Sequence, residues 1–248
     1  MISEIAGMMT GADQYVFHLV NGVYTTPLLD RVMPALSWSG NLGAIWLALL
    51  GAVALFGKKT GRRIALIGLG ALAMGFFASE IIKEITMRPR PFLSLDEVRL
   101  LISTPSSYAL PSGHTTSSFA VASGLFLGAR RLMRRVPFWA WGSLALAAAI
   151  SYSRLYVGVH WPTDVLAGVV LGVASGWVAS RPSVARFARK SYDRLRDFVR
   201  DGLRNKENIE NKERSGREIL KNNAGRKTLP GDNEAEEPAP EPVEVSKR

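Results

Sequence analysis

Three short clusters of polar residues carry the chemistry available to this chain, and each borders a long apolar run. In residues 153–164, SRLYVGVHWPTD, Ser153 and Arg154 precede His160, and Asp164 follows His160 by four residues. Pro162 suits the first turn of a helix, so Asp164 is expected about one turn from His160. A carboxylate that holds one imidazole nitrogen leaves the other free as a base or nucleophile. Arg154 adds a planar fork suited to phosphate oxygens. In residues 111–118, PSGHTTSS, Pro111 and Ser112 can end a loop and cap a helix, and Gly113 allows close backbone approach. The N–H groups that follow form an anion site at a helix N-terminus, with His114 beside it to give or take a proton. In residues 83–91, KEITMRPRP, Lys83 and Arg90 stand seven apart, Pro91 follows, and Arg88 adds a third cation, which Asp96 and Glu97 partly offset.

Each cluster taken alone has a plainer reading: cations that snorkel at helix ends, a simple helix cap, interfacial anchors. Taken together they gather cations, helix N-termini, two histidines and one carboxylate, without a carboxylate-rich metal cage. That set points to phosphoryl transfer without a metal or other cofactor, with the protein supplying position and charge. The third histidine, His18, has no such neighbours and is expected to be structural or interfacial.

The elements that must position these clusters are membrane helices. Mean hydropathy is only +0.08, but residues 41–180 are rich in Leu, Ala, Val, Ile and Gly, whereas the chain beyond 182 is polar and charged. Runs at 41–57, 62–82, 112–129, 137–157 and 162–180 approach the length needed to cross a hydrocarbon core as helices, the default where lipid offers no backbone partners. Residues 1–36 form either an interfacial helix or an imperfect first span. The expected fold is therefore an all-α, polytopic bundle of five or six transmembrane helices. Gly168, Gly172 and Gly176, four apart, permit close helix contact.

The net charge of +10 is distributed for a membrane rather than for nucleic acid. Lys58, Lys59, Arg62 and Arg63 join the first two clear runs. Arg130, Arg131, Arg134 and Arg135 join the next two, and Arg181, Arg186, Arg189 and Lys190 follow the last. With single crossings these clusters share the cytoplasmic face, and the loop 83–111 and the turn 153–162 share the extracytoplasmic one. The N-terminus is then cytoplasmic if residues 1–36 span and extracytoplasmic if they do not. The absence of cysteine excludes disulfides, thiolate metal sites and a cysteine nucleophile, and no cleavable signal peptide is evident. In residues 182–205, Val184, Phe187, Leu195, Phe198 and Leu203 recur at helical spacing among arginines, as in a basic helix on anionic lipid headgroups or one that binds a partner. Residues 206–248 read as disordered.

The ordered set of Lys83 to Arg90–Pro91, PSGH at 111–114, and Ser153–Arg154 with His160 and Asp164 resembles the type 2 phosphatidic acid phosphatase superfamily, over about residues 30–180. Arg88–Pro89 duplicates the Arg-Pro pair, but only Arg90 has the family spacing from Lys83. The resemblance implies that His160 attacks phosphorus to form a phosphohistidine, with Asp164 orienting its ring. It implies that His114 protonates the leaving oxygen and later activates water. Lys83, Arg90 and Arg154, with Ser112 and the Gly113 N–H, would hold the phosphoryl oxygens. Residues 37–181 are then a membrane-embedded phosphatase core resembling undecaprenyl-diphosphatases, with phosphatidylglycerophosphate or phosphatidate as alternative substrates. Residues 92–110 are expected to form a lid or lipid entrance with Leu93, Leu95, Leu100, Leu101 and Ile102 facing the membrane. The non-enzymatic alternative is a scaffold whose basic tail recruits a partner.

Overall fold

The structure, a computed structural model, describes residues 11–187 without interruption and scattered positions from 189 to 216. The described residues up to Asp193 form one compact unit and those from Arg194 a second. Every regular element among them is helical. Helix α1 (residues 11–18) runs into a π turn, Leu19–Val23. Then follow α2 (Pro27–Ser39), a 3-10 turn (Asn41–Gly43), α3 (Ala44–Phe56), α4 (Lys58–Thr86), α5 (Gly113–Leu132), α6 (Phe138–Tyr156) and α7 (Pro162–Ala179). The disorder read for 206–248 lies, apart from a few isolated helical positions, outside the described residues, as do residues 1–10, Leu195 and Leu203.

Helix α5 is the central rod, with Ala120, Val121, Ala122, Leu125 and Ala129 fully buried among α3, α4 and α6. The stripe Gly168, Gly172 and Gly176 brings the backbone of α7 onto it. A Cβ at Gly172 would stand 2.6 Å from the Thr116 carbonyl oxygen, and one at Gly176 would stand 2.7 Å from the Gly124 nitrogen. The packing role expected of these glycines is therefore found. From the other side Trp46 of α3, wholly buried, donates its indole N–H to Ser118 of α5 at 3.0 Å, which satisfies a polar group that would otherwise be costly inside the bundle.

Several boundaries differ from the sequence expectation. Lys58 to Arg63 do not form a loop. Only Gly57 separates α3 from α4, and the four basic residues lie in the first turns of α4. No proline stands there, and lysine and arginine are good helix formers, so the helix starts early. At its other end α4 runs to Thr86 and stops at Met87, which takes a left-handed conformation before Pro89 and Pro91. Residues 11–36 are not one helix. After α1 and the π turn, Thr26 caps α2 through the Leu29 N–H at 3.2 Å, and α2 meets α3 at a 63° bend.

Among the described residues, α4 (counted through Leu93) and α7 are long and apolar enough to cross a membrane, and the bent pair α2–α3 meets the same test as one broken span. Helices α5 and α6 are not counted with them. Helix α5 opens on His114, Thr115, Thr116, Ser117 and Ser118, and α6 ends on Ser151, Ser153 and Arg154, which lowers the hydropathy of both. The loop 83–111 and the turn after α6 meet at one end of the bundle, where the Leu101 N–H donates to the Val157 carbonyl. At the opposite end Arg131 of α5 donates to the Ser180 carbonyl at 2.6 Å.

Candidate active site

The tight turn 157–161 between α6 and α7 places His160 against the loop that follows α4. Gly158 makes this approach possible. Its φ is 84°, and a Cβ there would lie 2.7 Å from the Arg99 carbonyl oxygen. Arg90, 4% exposed, clamps the loop to the turn. Its Nε donates to the Ser107 carbonyl at 2.7 Å and its Nη1 to the Val159 carbonyl at 2.8 Å, while Nη1 also lies 3.2 Å from His160 Nε2.

His160, 2% exposed, is held well below the usual imidazole range, first by burial and then by the neighbouring charges of Arg90, Arg154 and Lys83. Its lone pair is therefore available at neutral pH, as a nucleophile requires. The shift is downward, so His160 stays unprotonated as pH falls through the ordinary imidazole value of 6.5. Ring nitrogen NMR of the purified protein should show no His160 titration near that value, and a midpoint there would contradict this environment.

The remaining predicted residues come from four different elements. Lys83, in the last turn of α4, is 7% exposed and donates to Glu80 at 2.6 Å. A Cβ at Gly113 would lie 3.2 Å from the Lys83 ammonium, so the missing side chain lets this cation stand over the start of α5. Arg154, in the last turn of α6, donates through Nη1 to Ser37 of α2, and its buried Nε has no hydrogen-bond partner among the described residues. His114 Nε2 pairs with Asn41 Oδ1 at 2.9 Å. Lys83, Arg90, Gly113, His114, Arg154 and His160 all line a single cavity of about 770 Å³. Apolar side chains also line it, Trp38 of α2 and Leu69, Leu72, Phe76 and Phe77 of α4.

Ser112 and Asp164 stand behind this wall rather than on it. Ser112 is fully buried. Its hydroxyl accepts from Thr115 at 3.1 Å, its carbonyl accepts from the Thr116 N–H at 2.9 Å, and its own N–H donates to the Asp164 carbonyl at 3.0 Å. It therefore fastens α5 to α7 where a direct phosphate contact was expected. Asp164 Oδ2 lies 3.5 Å from His160 Nδ1, but that nitrogen makes no hydrogen bond among the described residues. The carboxylate is already engaged, since Oδ2 accepts the Trp161 N–H at 2.8 Å and Oδ1 accepts from Arg88 at 2.6 Å.

The loop leucines divide differently from the lipid-facing row expected. Leu93 is exposed, but Leu95 packs near Phe17, Ala109 and Trp161, and Leu101 and Ile102 pack around Met33 and Tyr156. Ile102 also reaches the cavity. Phe92, Val98 and Ala109 of the same segment join these clusters, so its apolar side chains pin it to the bundle. His18 is exposed and apart from the cavity.

Sequence reasoning missed Ser37, Asn41, Ser79, Glu80, Asp13 and the role of Arg88. Glu80 had a local signal, a carboxylate one turn before Lys83. Ser37 and Asn41 had none, because they meet Arg154 and His114 across 117 and 73 residues. The buried Ser79 hydroxyl on the cavity wall has no hydrogen-bond partner among the described residues. Ser123, Ser143, Ser151, Ser153 and Ser175 instead bond back to carbonyls of their own helices.

The whole arrangement is a cavity at one end of a helical bundle, lined by three cationic side chains and two histidines. Residues 64–187 match the model of the PAP2 superfamily, and the chain belongs to that family. It is similar to an undecaprenyl-diphosphatase of Sulfolobus acidocaldarius, with 33% identity over 136 residues, 54% of this chain and 60% of that protein. It is also similar to the decaprenylphosphoryl-5-phosphoribose phosphatase of Mycolicibacterium smegmatis, with 37% identity over 134 residues, 54% of this chain and 68% of that one. Its fold resembles the crystal structure of Aquifex aeolicus LpxE, with a TM-score of 0.55, 25% identity, and coverage of 67% of this chain and 93% of that one. The chain thus spans somewhat less than two thirds of the first of these relatives.

Proposed function

We propose that this protein is a membrane lipid phosphatase that hydrolyses a polyprenyl diphosphate, undecaprenyl diphosphate in particular, to the monophosphate and inorganic phosphate. The observation that carries this reading is the mixed lining of the cavity. Lys83, Arg90, Arg154, His114 and His160 line it together with apolar side chains of α2 and α4. Such a pocket suits a ligand with an anionic head and a hydrocarbon chain. The polyprenyl carrier named in both relatives supports a chain of this kind over a glycerolipid.

In this reading His160 Nε2 attacks phosphorus and the bond to the leaving oxygen breaks, with the lipid leaving as its monophosphate. His114 supplies the proton that oxygen takes up. Phosphorylated His160 carries a positive charge, which Asp164, 3.5 Å from Nδ1, stabilises. Water then attacks phosphorus, gives its proton to His114, and releases phosphate and neutral His160. The cations and the free N–H groups at the start of α5 hold the non-bridging oxygens as their charge grows. Five or six crossings, an extracytoplasmic site and a cytoplasmic basic tail complete the proposal. Exposed Phe187 and Phe198 among arginines suit that tail to anionic headgroups.

Phosphate release by purified protein in detergent tests this reading. Undecaprenyl diphosphate should be cleaved with a kcat/KM on the order of tenfold above phosphatidylglycerophosphate and phosphatidate, and the rate should persist in excess chelator. Preference for either glycerolipid would reassign the substrate. Loss in chelator that a divalent ion restores would require a metal in the mechanism. No release from any of the three would favour the scaffold reading.

A further inference from the structure

Arg88 lies outside the cavity wall, and neither it nor Asp13 has a part in the reaction described above. Both nevertheless connect to the residue that faces the nucleophile. Arg88 Nη1 donates to Asp164 Oδ1 at 2.6 Å and to Thr163 Oγ1 at 2.7 Å, while Nη2 donates to Asp13 Oδ2 at 2.6 Å. Asp13, 2% exposed and carried by α1, also accepts the Thr163 N–H at 2.9 Å and the Thr163 hydroxyl at 2.5 Å. The Thr163 N–H is one of the unpaired donors at the start of α7, and Trp161, in the capping position, has no side-chain oxygen to offer it. Asp13 therefore caps α7 from 150 residues away in sequence.

We propose that Arg88 and Asp13 are positioning residues for the nucleophile. Arg88 occupies Asp164 Oδ1, so that the Trp161 N–H and His160 Nδ1 are left to Oδ2. Asp13 fixes both the guanidinium and the first turn of α7, on which Asp164 rides. The duplicated Arg-Pro pair thus has divided functions, with Arg90 facing the cavity and Arg88 facing the carboxylate behind it. Trp161 closes the network: its indole donates to the Pro89 carbonyl at 3.0 Å, the Arg88 guanidinium lies 5.7 Å from its ring centre, and Phe17 of α1 packs on it at 5.5 Å. The N-terminal segment is thereby part of the machinery that sets the angle of His160, and not simply an anchor.

This inference rests on the phosphohistidine reading, and the experiment separates the two. Steady-state kinetics on the wild type, Arg88→Ala, Asp13→Ala and the double variant should show kcat reduced on the order of 10²-fold in Arg88→Ala, the scale of a small misplacement of a reacting group. KM and inhibition by inorganic phosphate should stay within about threefold, because neither residue touches the pocket. The two losses should not multiply in the double variant, because the residues act as one unit. Arg88 is 26% exposed, so free guanidinium ion can reach its place and should restore the rate of Arg88→Ala about tenfold while leaving Asp164→Asn unchanged. A mere loss of folding would be neither rescued by guanidinium nor silent towards phosphate inhibition. An active wild type with an equally active Arg88→Ala, or a loss that guanidinium does not restore, overturns this inference alone. A wild type that releases no phosphate overturns the phosphatase reading and this inference with it.

Discussion

His160→Ala should abolish turnover and phosphoenzyme together, with an expected loss on the order of 10⁴-fold or more in kcat. The expectation follows from where the ring stands. It is the only imidazole held between Arg90 and Asp164, with Nε2 turned towards the guanidinium that would bind the phosphoryl group. Alanine leaves the three cations and the start of α5 in place, so lipid phosphate still binds and KM changes little. The barrier rises by about 5 kcal/mol or more because no nucleophile remains to divide the displacement into two steps. Rapid acid quench with substrate labelled in the terminal phosphate reads the covalent intermediate directly. Label still trapped on the alanine variant, or full activity in it, would exclude His160 as the attacking group.

Asp164→Asn should lower kcat on the order of 10³- to 10⁴-fold with little change in KM, by the logic of an oriented imidazole. The asparagine has the same size and sits wholly inside the protein, so the pocket keeps its shape. What changes is charge. The positive charge that forms on His160 during attack loses its counter-ion, and the ring loses the acceptor beside Nδ1. The amide must also present its oxygen to either Arg88 or the Trp161 N–H and can no longer serve both as a carboxylate does. The unmade hydrogen bond at 3.5 Å makes this substitution informative. If Asp164 acts only as a helix cap, the variant should lose thermal stability and keep its turnover per folded molecule. Unchanged kinetics would reduce Asp164 to that structural part. The two variants together separate the group that reacts from the group that aims it.

The residue pattern was enough to point to the class of chemistry and to an all-helical fold. Lys83, Arg90, His114, Arg154, His160 and Asp164 were readable because each stands near the end of an apolar run. There a charged group is costly, and the distribution of basic loop residues, with single crossings, gives the clusters one shared end. The stripe of Gly168, Gly172 and Gly176 was readable for a similar reason, since a helical period of four fixes one face. Element ends were less legible: α4 starts at Lys58 because nothing in the chain there breaks a helix, although charge density suggests a loop.

Which of these residues face the cavity and which stand behind it follows from the packing of the helices. The family resemblance implied a phosphate ligand at Ser112, but folding α7 onto α5 buries it and gives its bonds to Thr115, Thr116 and Asp164. Arg88 and Arg90 are two residues apart with the same side chain, and the extended turn between them sends one to Asp164 and the other to the cavity. Asn41, Ser37 and Asp13 carried no local signal because their partners lie 73, 117 and up to 150 residues away. A sequence states spacing along one chain direction, and hydrogen-bond direction within a pocket is set only when separate helices are brought together.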